Sequence, residues 1–263
     1  MLMTILEIQD QLGRKLSFEE IPIRIVSLVP SITHLLYSFG LDKEVVGITR
    51  FCKYPLPWRK QKKIIGGTKN FKKESIEALN PDLILASKEE NPKELTLALN
   101  EIAPVYVSDV FNLKSNAQLI KDLGSILQRQ QIARQIISEI NLKKETLLKS
   151  KSRQSLRAVY MIWRDPWMSI GGDTFIHQMM QLAGFDNMLK DRLRYPVLSL
   201  KDLQQMSPEV ILLSSEPYPF KEKHREELQK VLPHTRILLV KGEPFTWFGS
   251  YPIQAIDYFN QLI

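Results

Sequence analysis

The chain has 263 residues, of which 44% are hydrophobic and 25% charged, values typical of a globular protein that buries a sizeable core. Its net charge of +7 would suit an anionic partner, but the Lys and Arg residues are scattered and the densest run, at residues 59–63, is short, which disfavours a nucleic-acid-binding surface. The single cysteine, Cys52, excludes an internal disulfide and the cysteine-rich zinc sites.

The amino-terminal residues show no export signal. Residues 1–16 include acidic and polar side chains where a secretory leader needs an apolar run of about 7–15 residues. No stretch approaches the roughly 18 uninterrupted apolar residues of a membrane-spanning helix. From the residues alone we therefore expect a chain that spans no membrane and that, if complete, stays in the cytoplasm.

An approximate internal duplication organises the rest of the chain. In the first half, an apolar run at residues 24–29 predicts a buried strand, and a helix follows it up to Gly40. In the second half, the run at residues 157–162 predicts the same strand, and a helix over residues 174–183 follows after a longer connection. The two halves are therefore expected to share one plan.

A second pair of matching segments supports the duplication. Residues 75–87 and 203–214 each contain a short helical pattern, then a proline (Pro81 or Pro208), then a continuous apolar run. A proline disfavours helix in the residue before it, so each segment predicts a helix that stops and a buried strand that begins. Strands that alternate with helices predict a parallel sheet in each half.

One long helix is predicted between the halves. Residues 119–149 contain no proline and only one glycine, and apolar residues recur at seven-residue spacing. A helix over residues 126–149 would be about 36 Å long at 1.5 Å per residue. We therefore predict an α/β lobe at residues 1–118, a connecting backbone helix at 119–151 and a second α/β lobe at 152–263.

Aromatic residues are concentrated in the loops that follow predicted strands, where open α/β sheets bind their ligands. Gly, Pro and charged neighbours indicate that these loops lie at the surface, so the aromatics are expected to cover a broad, partly apolar ligand. Packing of the same rings into the core ends is the alternative. The candidate ligand-binding residues in these loops are Phe51, Tyr54, Thr68, Trp163, Trp167, Tyr195, Trp247 and Phe248.

Residues 24–33, 46–55, 66–68 and 78–84, in this order, resemble the helical-backbone periplasmic binding proteins of ABC importers. Within that group the sequence is most similar to cobalamin-binding proteins, and the siderophore- and haem-binding proteins are related to these. The resemblance implies two α/β lobes joined by a backbone helix, with the ligand in a cleft between them. It also implies a periplasmic or extracytoplasmic binding protein that captures a large metal chelate and catalyses no reaction.

The resemblance assigns roles to individual positions. The family's ligand-packing aromatics fall on Phe51 and Tyr195, whereas Thr68 stands where cobalamin binders can have tryptophan. A late arginine of the family has no match near Trp247. These two positions depart from the cobalamin-binding pattern. Corrinoid is the first ligand candidate because the sequence as a whole is most similar to cobalamin-binding proteins, and ferric siderophore or haem is next.

The family also docks to its membrane permease through one exposed glutamate per lobe. Glu74 matches the first of these, and at the second place the sequence has Lys201 with Asp202 beside it. Glu74 and Asp202 are therefore the candidate docking residues, and the protein is expected to act as a monomer.

Catalytic and metal-binding roles are not expected. The histidines at 34, 177, 224 and 234 lack metal-site spacing, so any metal should arrive inside its own chelate, and no separate cofactor is predicted. The alternative function is an enzyme that acts on a bulky anionic substrate through Cys52 and Arg50, with the glycine corner at residues 171–172. That corner is more simply explained as the start of a helix capped by Asp173 or Thr174.

Overall fold

The apolar runs of the sequence form two separate parallel sheets. The computed structural model describes residues 6–150 and 155–262, which divide into two contact units. The first unit takes its described residues from Met1–Val110, Lys114–Ile140 and Phe248–Tyr251, and the second from Phe111–Leu113, Asn141–Trp247 and Pro252–Ile263. The units therefore interleave along the chain.

The first unit contains a five-stranded parallel sheet and an antiparallel hairpin. Its strands are β1 Leu6–Gln9, β2 Lys15–Phe18, β3 Ile25–Ser27, β4 Val45–Ile48, β5 Lys63–Ile64, β6 Leu83–Ser87 and β7 Val105–Ser108. The sheet has the order β5-β4-β3-β6-β7, and β1 pairs with β2. All five residues of β6 are buried, as expected for a strand covered on both faces.

The second unit contains a four-stranded parallel sheet and a small antiparallel pair. Its strands are β8 Leu156–Met161, β9 Trp167–Met168, β10 Phe185–Asn187, β11 Val197–Leu198, β12 Val210–Ser214 and β13 Arg236–Val240. The sheet has the order β10-β8-β12-β13, and β9 pairs with β11. The predicted α/β class with a parallel sheet in each half is confirmed.

The two sheets reverse their strand order at equivalent strands, β3 in the first and β8 in the second. In the first, β4 lies on one side of β3 and β6 on the other; in the second, β10 and β12 lie on the two sides of β8. The predicted duplication is thus visible in the topology. The carboxyl ends of β3 and β6, and of β8 and β12, are the places where an open α/β sheet binds ligands.

Two helices, α1 and α7, have boundaries at residues that the sequence signals indicate. α1 begins at Pro30, and α7 is capped by the Thr174 hydroxyl and ends before Gly184, which has a φ of 89°. The helices are α1 Pro30–Ser38, α2 Trp58–Gln61, α3 Lys73–Glu77, α4 Lys93–Ala98, α5 Leu113–Ile126, α6 Gln130–Ser150, α7 Phe175–Ala183, α8 Leu200–Met206, α9 Glu222–Val231, α10 Glu243–Thr246 and α11 Pro252–Leu262, with a 3₁₀ turn at Leu99–Glu101. None of these, within the residues described, is long and apolar enough to cross a membrane.

The chain forms two helices, α5 and α6, where one continuous helix over residues 119–151 is predicted. The chain turns after α5 at Gln128, which has a φ of 50°, and α6 begins two residues later. A Cβ atom on Gly124 would lie 2.7 Å from the Cβ of Ala133, so the glycine lets α5 pack closely against α6. The apolar periodicity continues across this turn, which is why the sequence does not mark it.

Candidate ligand-binding site

Trp163 and Tyr218 lie beyond the carboxyl ends of two neighbouring strands of the second unit. Trp163 follows β8 and Tyr218 follows β12, at the reversal of strand order. The Trp163 ring is 42% exposed, and its centroid lies 5.6 Å from that of Tyr218 in an edge-to-face arrangement. This pair therefore presents an aromatic surface at the position where such sheets bind ligands.

Backbone and side-chain hydrogen bonds hold the pair in place. The Tyr218 N–H donates to the carbonyl of Ile162 at 3.3 Å, and the Met168 N–H donates to the carbonyl of Trp163 at 3.1 Å. The Nδ1 of His224 accepts from the Lys221 N–H at 2.9 Å, and burial lowers the pKa of this histidine. The neutral ring therefore carries its proton on Nε2, which donates to the Tyr218 hydroxyl at 3.2 Å.

Sequence reasoning missed Tyr218. Residues 216–220 read Glu-Pro-Tyr-Pro-Phe directly after a buried strand, the same composition that identified the other aromatic loops. The signal was therefore present in the sequence.

Trp167 is a buried side chain, so its predicted exposure is wrong. It is 8% exposed and stacks on Phe220 with ring centroids 5.9 Å apart and planes 4° apart. The Arg164 guanidinium lies 5.5 Å from the Trp167 ring centroid and donates two hydrogen bonds to the Glu227 carboxylate. The ring is therefore part of the core of the second unit, and its role in ligand binding stays a prediction.

Trp247 and Phe248 are also buried, at 6% and 5% exposure, contrary to the surface position expected of them. The Trp247 Nε1–H donates to the Glu216 carboxylate at 3.0 Å, and the Thr246 hydroxyl donates to the same oxygen at 3.0 Å. These bonds tie the loop after α10 to the loop after β12. An indole fixed in this way contributes to packing. Of the tryptophans at 163, 167 and 247, Trp163 is the exposed one.

In the first unit the structure brings Phe51 and the glycine turn together. Phe51 is 47% exposed after β4, and a Cβ atom on Gly67 would lie 3.1 Å from its ring. The neighbouring Thr68 is half-buried, and its carbonyl accepts from the Asn91 side chain at 2.8 Å. Tyr54 is 42% exposed. Phe51, Tyr54 and Thr68 therefore remain accessible to a ligand.

Tyr195 is half-buried in the second unit and follows a loop that the glycine corner supports. The N–H groups of Gly171 and Gly172 donate to the carbonyls of Arg194 and Arg192 at 2.7 and 3.0 Å. A Cβ atom on Gly172 would lie 2.0 Å from a backbone oxygen, so only glycine fits there. The corner therefore binds the protein's own loop, and Thr174 caps α7 as predicted.

The buried Cys52 thiol does not fit the enzyme alternative. Cys52 is fully buried, with its Sγ 3.1 Å from the Thr33 hydroxyl and 3.3 Å from that of Thr49. Burial raises the pKa of the thiol, which keeps it protonated, whereas a nucleophilic cysteine must be an accessible thiolate.

The positions of His34 and His177 favour uncharged side chains. Burial lowers the pKa of His34 to about 4, and its Nδ1 lies 2.9 Å from the Ser250 hydroxyl. Burial also lowers the pKa of His177. Across the described ranges, no group of three or more His, Cys, Asp or Glu side chains is placed to hold a metal ion.

The candidate docking residues are both exposed. Glu74 lies in the first turn of α3. Asp202 forms a capping box on α8, in which the N–H and hydroxyl of Ser199 each donate to its carboxylate at 2.7 Å. These hydrogen bonds lower the pKa of Asp202, so it is ionised beside the exposed Lys201.

Comparison with known proteins identifies the relatives of this chain. Residues 25–237 match the family model described as periplasmic binding protein. A vitamin B12-binding protein of Vibrio campbellii is 26% identical over 194 residues, which cover 73% of this chain and 70% of that protein.

Two solved structures have similar folds. The periplasmic haem-binding protein of Roseiflexus sp. RS-1 has a TM-score of 0.78 at 21% identity, covering 90% of this chain and 96% of its own. The periplasmic vitamin B12-binding protein of Vibrio cholerae has a TM-score of 0.77 at 20% identity, covering 92% and 96%. These relatives are binding proteins and not enzymes.

Proposed function

The chain belongs to the periplasmic binding protein family, and on this basis we propose that it captures a large, partly flat metal chelate for uptake by an ABC importer. The observation that carries this proposal is the exposed Trp163 ring, which Tyr218 supports at the reversal of strand order. The exposed Phe51 ring, next to the glycine turn of the first unit, supports it further.

The size and shape of these groups favour a chelate over a bare ion or a small sugar. A large aromatic side chain buries about 150–250 Å², so several of them suit a ligand with a broad apolar face. Corrinoid is the first candidate because the similar protein of Vibrio campbellii binds vitamin B12, and haem or a ferric siderophore is next. Capture for import requires an extracytoplasmic location, which we propose for this protein.

Replacing Trp163 by alanine is expected to weaken chelate binding by about 30-fold, the effect of removing a central aromatic contact. Calorimetric titration with cyanocobalamin, haem and a ferric siderophore measures this without relying on the tryptophan signal. Tyr37→Ala is the matched control, because Tyr37 is an exposed aromatic on α1 whose ring packs edge-on against Trp58, and its loss should change Kd less than about twofold. Failure of the unaltered protein to bind any of the three probes would refute the proposed function.

We also propose that Glu74 contacts an arginine of the permease. Its replacement by lysine should weaken docking by about 3- to 10-fold, because it removes an exposed ion pair that contributes about 0–1 kcal/mol and places a like charge against the arginine. Binding of the loaded protein to the permease in nanodiscs measures the effect. Glu94→Lys is the control, because Glu94 is equally exposed in the first turn of α4. Equal losses for the two variants would contradict a specific contact at Glu74.

A further inference from the structure

The strand β7 lies at one edge of the parallel sheet of the first unit, although its side chains are buried. It pairs with β6 on one side, and all four of its residues, Val105–Ser108, are buried. The strand at the opposite edge, β5, consists of two exposed residues, Lys63 and Ile64. A short, charged edge resists pairing with another chain, whereas an apolar edge such as β7 needs a cover.

The backbone groups of β7 that face away from β6 belong to alternate residues. The carbonyl of Ser108 accepts from the Lys88 N–H at 2.9 Å, on the side of β6. Successive residues of a strand direct their backbone groups to opposite sides, so Val105, Val107 and Asp109 direct theirs to the open side of the sheet. A further strand that added to this sheet would bind these three residues.

A turn of the same unit covers this open side with side chains. The turn consists of residues 10–14, which connect β1 to β2. The Asp10 carboxylate accepts from the Val107 N–H at 3.2 Å, and the Arg14 guanidinium donates to the Val105 carbonyl at 2.8 Å. One side chain thus takes the acceptor role, and the other the donor role, that the backbone of a neighbouring strand would have.

The same turn also covers the end of β7. The Gln11 side chain accepts from the Asp109 N–H at 2.9 Å, and it donates to the carbonyl of Ser115, in the first turn of α5, at 2.7 Å. Each of the three outward-facing residues of this edge therefore has one backbone group bonded to the turn.

Asp10 holds the turn in this conformation. One oxygen of its carboxylate accepts from the N–H groups of Leu12 and Arg14, each at 2.9 Å, and the other lies 2.7 Å from the Arg14 guanidinium. The Asp10 side chain has no exposed surface. Removal of this carboxylate should therefore release the turn and uncover β7 together, since it leaves both the N–H groups and the guanidinium without their partner.

We propose that the turn at residues 10–14 keeps this protein a monomer by covering β7, and that β7, once uncovered, pairs with β7 of a second copy. A second copy fits this edge because antiparallel pairing centred on Val107 sets the outward N–H and carbonyl groups of each strand opposite those of the other. The β-branched and aromatic side chains of β7 also favour strand pairing. The inference does not depend on which ligand the protein binds.

The first test is the mass of Asp10→Ala in solution, measured by size-exclusion chromatography with light scattering over a dilution series. Wild-type protein should have the mass of one chain at every concentration, whereas Asp10→Ala should have the mass of two and dissociate on dilution. Glu7→Ala is the matched control and should stay a monomer. Glu7 is an exposed acid on β1, so its removal changes the net charge by the same amount.

Two double variants locate the contact. Asp10→Ala/Val107→Pro should return to a monomer, because proline removes the outward-facing N–H at the centre of the pairing. Gln11→Ala/Arg14→Met removes two of the three covering side chains and keeps Asp10. It should also dimerise, and it decides the question if circular dichroism shows that Asp10→Ala does not fold.

Amide hydrogen exchange separates uncovering from pairing. In dilute, monomeric Asp10→Ala the Val107 N–H should exchange about 10-fold faster than in wild-type protein, the effect of losing one hydrogen bond, and the protection should return with the dimer. Accelerated exchange in variants that stay monomeric at every concentration would overturn the proposal, since the uncovered edge would not pair. A dimer that persists in Asp10→Ala/Val107→Pro would overturn it as well, because the contact would then lie elsewhere.

Discussion

Replacing Phe245 by alanine is expected to lower the free energy of unfolding by about 3–5 kcal/mol, the usual cost of removing a buried phenylalanine ring. Phe245 has no exposed surface, and its ring centroid lies 5.0 Å from that of Tyr160 and 4.9 Å from that of Phe259. The substitution leaves a cavity between β8, α10 and α11 that these neighbours cannot fill without leaving their own contacts. Urea unfolding followed by circular dichroism measures the change.

Phe51→Ala is the matched control for this prediction. It removes the same atoms from a ring that is 47% exposed, so its cost should stay below about 1 kcal/mol. Phe245→Leu should fall between the two, because leucine fills part of the cavity. A loss below about 1 kcal/mol for Phe245→Ala would mean that the ring does not support the core of the second unit.

Replacing Asn116 by alanine is expected to cost about 2–4 kcal/mol, since it removes the hydrogen-bond partners of both the N–H and the carbonyl of the buried Gly249. The Asn116 side chain is 1% exposed; its Oδ1 accepts from the Gly249 N–H at 2.6 Å, and its Nδ2 donates to the Gly249 carbonyl at 3.0 Å. Alanine leaves that N–H and that carbonyl unsatisfied. Thermal and urea unfolding of the purified variant measure the loss.

Asn100→Ala is the control, because the Asn100 side chain donates one exposed hydrogen bond, to the carbonyl of Leu97 at 2.9 Å. Its cost should be below about 0.5 kcal/mol. Asn116→Asp should also destabilise, since a carboxylate accepts from the Gly249 N–H but cannot donate to its carbonyl. Wild-type stability for Asn116→Ala would show that these hydrogen bonds contribute nothing to the fold.

The architecture could be predicted because each strand and helix is signalled locally. Continuous apolar runs mark the strands, and Pro30, Thr174 and Gly184 mark helix ends where the structure has them. The turn at Gln128 could not be predicted, since it depends on the close packing of Gly124 against Ala133 and not on a local break in the pattern.

The candidate site could be predicted only in outline. The aromatic loops are where the sequence places them, but loop composition does not tell which ring points to solvent. Trp167 is buried because Phe220, remote in the sequence, stacks on it, and Trp247 because Glu216 accepts from its indole.

The interleaving of the two units bears on how the protein is made. Phe248–Tyr251 belongs to the first unit, although the chain on either side of it belongs to the second. Gly249, the partner of Asn116, is synthesised 133 positions later, and Ser250, the partner of His34, is synthesised 216 positions later. The first unit is begun early but cannot be completed until residues 248–251 have been made, so during translation it depends on a segment that has yet to emerge.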